Sequence, residues 1–156
     1  MKVALLFDDV DARAAATPDE RGVLEAVEAV AAALADLGHD CTRVPIGGPI
    51  AAWLGRLETD RPDVAFNLCE GAGGSSAHEP RVAAAVELAG IPLTGSAAET
   101  LALARRKDRV NALLAAIDLP VPRWLVHTPG APVPTWRRYP AIVKPAAEDG
   151  SVGIMQ

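Results

Sequence analysis

Lysine is scarce in this chain. Of 156 residues 15 are basic, and only Lys2, Lys107 and Lys144 among them are lysines. Where arginine supplies almost all positive charge, a retained lysine marks a place that needs a compact, rotatable ammonium, since the two cations are not interchangeable at phosphates. The plain alternative is that three lysines are leftovers. Lys144 leads into Glu148-Asp149-Gly150-Ser151-Val152-Gly153. There Gly150 and Gly153 let the backbone fold closely over a polyphosphate, and Ser151 adds a hydroxyl donor. Read blandly, the same stretch is a hairpin turn whose glycines meet backbone demands. A second glycine-rich stretch, Gly71-Ala72-Gly73-Gly74, is a poor dinucleotide loop: it lacks the third glycine at the required spacing and does not follow the first strand. Cys41 and Cys69 stand far apart and in no metal-ligand spacing, so they read as buried thiols.

Composition narrows the classes. The acidic residues number 20, giving a formal charge of −5, and half the chain is hydrophobic. An acidic balance excludes a general nucleic-acid binder, which needs a basic face to displace counterions. The apolar fraction excludes disorder. The longest apolar run falls far short of the roughly 20 residues of a membrane span. The opening Val3-Ala4-Leu5-Leu6-Phe7 is too brief for a secretory signal and soon meets Asp8, Asp9 and Asp11, so a cytoplasmic chain of one domain or two small ones is expected.

Strands and helices alternate along the first hundred residues. Residues 2–7 form a continuous apolar run, as a strand buried on both faces does. Thr17-Pro18-Asp19-Glu20 is a capping box opening a helix whose apolar stripe is Val23, Val27, Val30, Leu34 and Leu37, with Gly38 as its stop. A strand is expected at 41–44, a helix at 49–57 and a strand at 64–68. A flexible loop follows over 71–76, then a helix at 79–89 and a short strand at 91–94. Ser96-Ala97-Ala98-Glu99 opens a helix to about residue 104, and Asp108 starts another over 109–117. Four strands alternating with helices imply an α/β fold, a Rossmann-like doubly wound parallel sheet, which binds ligands beyond the carboxyl ends of its strands.

The character changes near Leu119-Pro120-Val121-Pro122. A strand is expected at 123–126, a Pro-rich loop at 128–135 and a hairpin from 139–145 through the glycine loop to a strand that stops at Gln156. A hairpin alone is marginal in water, so the end of the chain reads as the opening of a second, incomplete domain.

Five ordered pieces carry a resemblance. Val64-Ala65-Phe66-Asn67-Leu68-Cys69-Glu70-Gly71, Gly90-Ile91-Pro92-Leu93-Thr94-Gly95-Ser96, Lys107-Asp108-Arg109, Leu119-Pro120-Val121-Pro122 and Ile142-Val143-Lys144-Pro145 resemble the ATP-grasp ligases, specifically the D-alanine–D-alanine ligase group. The likeness spans most of the chain. It implies a Rossmann-like pre-ATP-grasp domain at 1–104 and, at 105–156, the beginning of an α+β ATP-grasp domain. It implies that Lys107 and Lys144 hold ATP and that Gly150, Ser151 and Gly153 belong to the loop closing over its phosphates. Two of the three lysines thus fall where nucleotide contacts are implied. Such ligases phosphorylate a carboxylate with ATP and let an amine attack the acyl phosphate, the rate coming from positioning and electrostatic stabilisation.

The resemblance also implies that the loop after Leu68 forms part of the carboxylate-substrate site, through Glu70, Gly71, Ser75, Ser76, His78 and Glu79. One family feature fails there: a histidine is usual before the loop glycine, and this chain has Glu70. An acceptor-only carboxylate cannot replace an imidazole donor at a substrate carboxylate, which puts D-alanine dipeptide synthesis in doubt. His78 is the residue that could take that role, the bland reading being a solvated loop histidine. Asp8, Asp9 and Asp11 follow the first strand and can meet a substrate amine, or simply form a solvated turn. The family's magnesium ligands lie beyond Gln156, so ATP and Mg²⁺ are implied by the family but not expected to be retained by this chain alone. It is expected to be inactive without a C-terminal partner chain; a homodimer through the Val152/Ile154 edge is a further expectation. The competing reading is a non-catalytic Rossmann-like module that binds a small molecule or another protein.

Overall fold

A computed structural model describes residues 1–10 and 18–148, and of 18–21 the backbone alone. The capping residue Thr17, Asp11, and the glycine loop with Gly150, Ser151 and Gly153 lie outside the described residues. The chain divides into two compact units, Met1–Leu101 and Ala102–Gln156.

The first unit is α/β. Its elements are β1 (Lys2–Asp8), α1 (Pro18–Asp36), β2 (Asp40–Ile46), α2 (Ile50–Asp60), β3 (Val64–Asn67), a 3-10 turn (Ser76–His78), α3 (Glu79–Leu88) and the start of α4 (Ala98–Ala104). The three strands form a parallel sheet in the order β2-β1-β3, with Leu5 opposite Arg43 on one side and Phe66 on the other. A central strand is covered on both faces, which is why β1 reads as an unbroken apolar run. Its side chains alternate between two cores. Leu5 and Phe7 pack with Val27 and Ala31 of α1; Ala4 and Leu6 pack with Trp53 and Leu57 of α2 and Val82 and Val86 of α3. Both Leu5 and Leu6 are fully buried, each contributing about 1.5–3 kcal/mol of apolar transfer. The stripe of α1 is buried at Val27, part-buried at Val23, Val30 and Leu34, and lost at Leu37, which is exposed beside Gly38 with its φ of +76°. Because the chain leaves β1 for β2 on one side and returns to β3 on the other, the strand order reverses at the carboxyl end of β1. Ligands of doubly wound sheets settle at such a point.

Several elements differ from the sequence reading. The strand expected at 91–94 is a single parallel bridge between Ala65 and Leu93. Pro92 has no N–H to donate, so its carbonyl only accepts from Ala65 (2.8 Å), while Thr94 donates to the Ala65 carbonyl (2.9 Å). The next amide on that edge, Asn67, donates to the Thr94 hydroxyl at 3.0 Å, a side chain standing in for a strand partner. The loop expected to be flexible at 71–76 is a tight turn, described below. Helix α2 runs to Asp60, past the expected end at 57, and closes on Arg61 in the left-handed region (φ 44°).

The second unit contains the end of α4 and α5 (Lys107–Ala116). Asp108 lies inside the first turn of α5 and does not cap it; its carboxylate grips Arg106 through two hydrogen bonds of 2.8 and 3.0 Å. The strands expected at 123–126 and 139–145 do not form. Their apolar residues are present, but a strand exists only where a neighbour takes its N–H and C=O groups, and among the described residues none does. The buried core residues all lie between Val3 and Val86 among the described residues.

Candidate functional site

At the carboxyl edge of the sheet the chain after β3 is held by its own backbone. Cys69 donates its amide to the Asn67 side-chain oxygen (3.1 Å). Ala72 and Ser75 then exchange a pair of backbone hydrogen bonds, each 3.3 Å, around Gly73 and Gly74, whose φ angles are +61° and +80°. Two successive positive φ angles are what a two-residue turn of this kind demands. Gly71 is fixed for a different reason: a Cβ there would stand 2.7 Å from the Ser75 carbonyl oxygen. The Ser75 carbonyl also accepts from the His78 amide (3.0 Å), starting the 3-10 turn that delivers Glu79 to the first position of α3.

The His78 ring closes this arrangement. Its Nδ1 donates to the Ala72 carbonyl at 2.8 Å. Ala72 in turn packs against the core that holds Cys69. Burial pushes the Cys69 thiol well above the ordinary range, and the Asp8 and Glu79 carboxylates push it the same way. Cys69 is therefore a neutral packing residue. Asp9 is fitted closely against Gly47, where an added Cβ would stand 2.7 Å from the Asp9 Cβ.

Of the residues singled out in the sequence, Gly71, Ser75, Ser76, His78 and Glu79 thus share one ordered turn, while Glu70 is exposed beside it. Asn67 and Thr94, whose hydrogen bonds fix the end of β3 and the chain entering the turn, were missed. The pattern that could have signalled them is a polar residue closing each short apolar run.

In the second unit, the N-terminus of α5 is tied to the segment after Lys144. Lys107 donates its amide to the Ala146 carbonyl (3.0 Å) and its Nζ to the Glu148 carbonyl. Arg105 reaches the Ala147 carbonyl at 2.8 Å. Lys107 is half-buried, and Lys144, two residues before Ala146, is exposed. An open groove of about 750 Å³ runs between 121–124 and 135–138, walled by Trp124, Trp136, Arg123, Arg137 and Arg138; neither lysine lines it.

Charge is divided unevenly. The first unit has 7 basic against 16 acidic residues, a formal −9, and the second has 8 against 4, a formal +4. Among the described residues no three His, Cys, Asp or Glu side chains are grouped so as to hold a metal ion. No helix there is long and apolar enough to cross a membrane.

No protein-family model matches the chain. Individual relatives do. A D-alanine–D-alanine ligase of Gluconobacter oxydans is 35% identical over 99% of this chain and 48% of its own length. One from Pseudomonas fluorescens is 34% identical over 98% of the chain and 44% of its own length. One from Methylobacterium radiotolerans is 36% identical over 89% and 44%. The chain spans about half the length of the curated relatives it matches, and over that span it is similar to D-alanine–D-alanine ligases.

Proposed function

We propose that the chain is the substrate-binding and first nucleotide-binding part of an ATP-dependent carboxylate–amine ligase, with residues 1–104 serving the acid substrate and 105–156 the nucleotide. The observation that carries this reading is the identity with the Gluconobacter oxydans ligase over nearly the whole chain. In the proposed reaction a substrate carboxylate oxygen attacks the γ-phosphorus of ATP and ADP leaves, giving an acyl phosphate. An amine then attacks the acyl carbon and expels phosphate. Lys107 and Lys144 neutralise the phosphates, and the loop carrying Gly150, Ser151 and Gly153 covers them. The hydrogen bond between Lys107 and Ala146 and the formal +4 of the second unit support that assignment. The turn with Gly71, Ser75, Ser76, His78 and Glu79, flanked by Glu70, meets the substrate.

Among the described residues no three His, Cys, Asp or Glu side chains form a cage that would by itself hold magnesium. Alone, the chain is inactive and binds ATP weakly, in keeping with a second unit that has no buried residue among those described. The same observation favours a second reading, a non-catalytic small-molecule-binding module. One experiment separates the two: join this chain to the part of the Gluconobacter oxydans ligase that it does not span, and measure phosphate release with ATP and a panel of amino acids. Amino-acid-dependent release, lost on Lys144→Ala, is expected. A folded chimera that is silent with every amino acid overturns the ligase reading in favour of the module.

A further inference from the structure

The groove of about 750 Å³ between 121–124 and 135–138 has no part in the ligase reading, since neither Lys107 nor Lys144 lines it. Its size is that of a small-molecule site, where clefts run from about 300 to 1,000 Å³. Arg123, Arg137 and Arg138 line it, and no carboxylate does. Among the described residues none of these three guanidiniums makes a hydrogen bond, an ion pair or a ring contact. Elsewhere arginine is paired, as Arg43 is with Glu28 and Arg106 with Asp108. The sequence offers no local partner either: between Asp118 and Glu148 it has no acidic residue, against Arg123, Arg137, Arg138 and Lys144. A cleft lined by charge of one sign concentrates counter-ions, and the planar fork of a guanidinium grips a phosphate through two parallel hydrogen bonds.

Two indoles complete the lining. Trp124 is 40% exposed and Trp136 half-buried. The Trp136 N–H is spent on the Arg138 carbonyl, so what this side chain has left for a ligand is its π surface. Such surfaces take planar rings by stacking, with little regard to the ring's substituents. The two kinds of lining together select the ligand. An acidic side chain of a peptide has no ring for the indoles, and an aromatic carboxylate brings a single charge to three cations. A phosphate monoester carries about −1.5 to −2, and in a nucleoside phosphate it is joined to a planar base.

We propose that this groove is a second nucleotide site, which takes a nucleoside phosphate with its base on Trp124 and Trp136 and its phosphates on Arg123, Arg137 and Arg138. It stands apart from the ligase reading, in which the lysines hold ATP.

The chain reports on the groove through its own fluorescence. Two of its three tryptophans line the groove, and the third, Trp53, is buried in the core of the first unit. UDP, uridine, inorganic pyrophosphate and a short single-stranded oligouridylate are the probes. The expected result is saturable quenching by UDP that disappears when Trp124→Phe and Trp136→Phe are combined. Uridine and pyrophosphate, each keeping half of the contacts, bind more weakly than UDP. Arg137→Ala and Arg138→Ala, at exposed positions and with circular dichroism unchanged, each weaken UDP by about tenfold, the loss of one charge-assisted interaction. Arg138→Lys, which keeps the charge without the fork, falls between. Fluorescence indifferent to UDP, equal affinity for uridine or for pyrophosphate, or full affinity in both alanine variants overturns the proposal. Quenching abolished by Lys144→Ala assigns the nucleotide to the lysines and overturns it as well. Oligouridylate bound far more tightly than UDP makes the groove a strand-binding surface instead. None of these readouts involves turnover, so a failure here leaves the ligase reading standing, and a silent chimera leaves the groove standing.

Discussion

Gly71 and Cys69 lie two residues apart and are fixed by opposite demands, one for space and one for its absence. With the Ser75 carbonyl in the way of any Cβ, Gly71→Ala forces backbone to move. We expect it to lower stability by about 1–3 kcal/mol, the usual cost of overpacking, read as a drop in the urea midpoint. Cys69 titrates late because burial disfavours its thiolate. A group whose folded pKa lies above its unfolded one holds its stabilisation below the unfolded value and loses it as pH rises toward the folded one. Stability should therefore decline above about pH 8.5, where the unfolded thiol ionises. In Cys69→Ala the part of that slope due to this thiol should vanish. The exposed bidentate pair of Arg43 with Glu28, at 2.9 and 2.7 Å, is a contrast: salt screens it, and little stability should follow.

Among the elements, β1 has the greatest consequence, since among the described residues it is the only strand with two sheet neighbours, and it supplies side chains to both cores. Leu6→Ala should cost about 2–5 kcal/mol, as deletions in close-packed interiors do. Leu113→Ala on α5, where the side chain is 51% exposed, should stay within about 0.5 kcal/mol of the parent. Equal losses for the two would mean that α5 is packed far more tightly than its exposure indicates. The edge beyond β3 makes the complementary point. Pro92 limits pairing there to one bridge, and Thr94 supplies by side chain what the backbone cannot.

For the molecule as a whole, the described residues give the two units very different interiors. The core belongs to the first, while in the second Trp124, Leu125, Val126, Tyr139, Ile142 and Val143 are all exposed. Amide hydrogen exchange should reflect this. Protection is expected to be strong over 3–7 and 42–46, and near that of an unstructured peptide over 121–145. Comparable protection in both would show an interior in the second unit that its exposures do not reveal. The two units also differ in sign, with formal charges of −9 and +4.

How much of the molecule was legible from its residues depends on whether the cause was local. The apolar run at 2–7, the stripe from Val23, and the glycine stop at Gly38 state their structures through spacing alone. The alternation of strand and helix was enough for the parallel sheet. The five short motifs were enough for the likeness to D-alanine–D-alanine ligases, because residue types in order survive without coordinates. What the chain could not announce were outcomes that depend on a distant neighbour. Whether 123–126 and 139–145 become strands depends on a partner for their amides, whatever their own propensity. Whether 71–76 is loose or locked depends on a carbonyl standing where a Cβ would go. That the His78 Nδ1 donates follows from the Ala72 carbonyl it meets. Only the folded turn decides that, because a ring nitrogen becomes donor or acceptor according to the atom it faces.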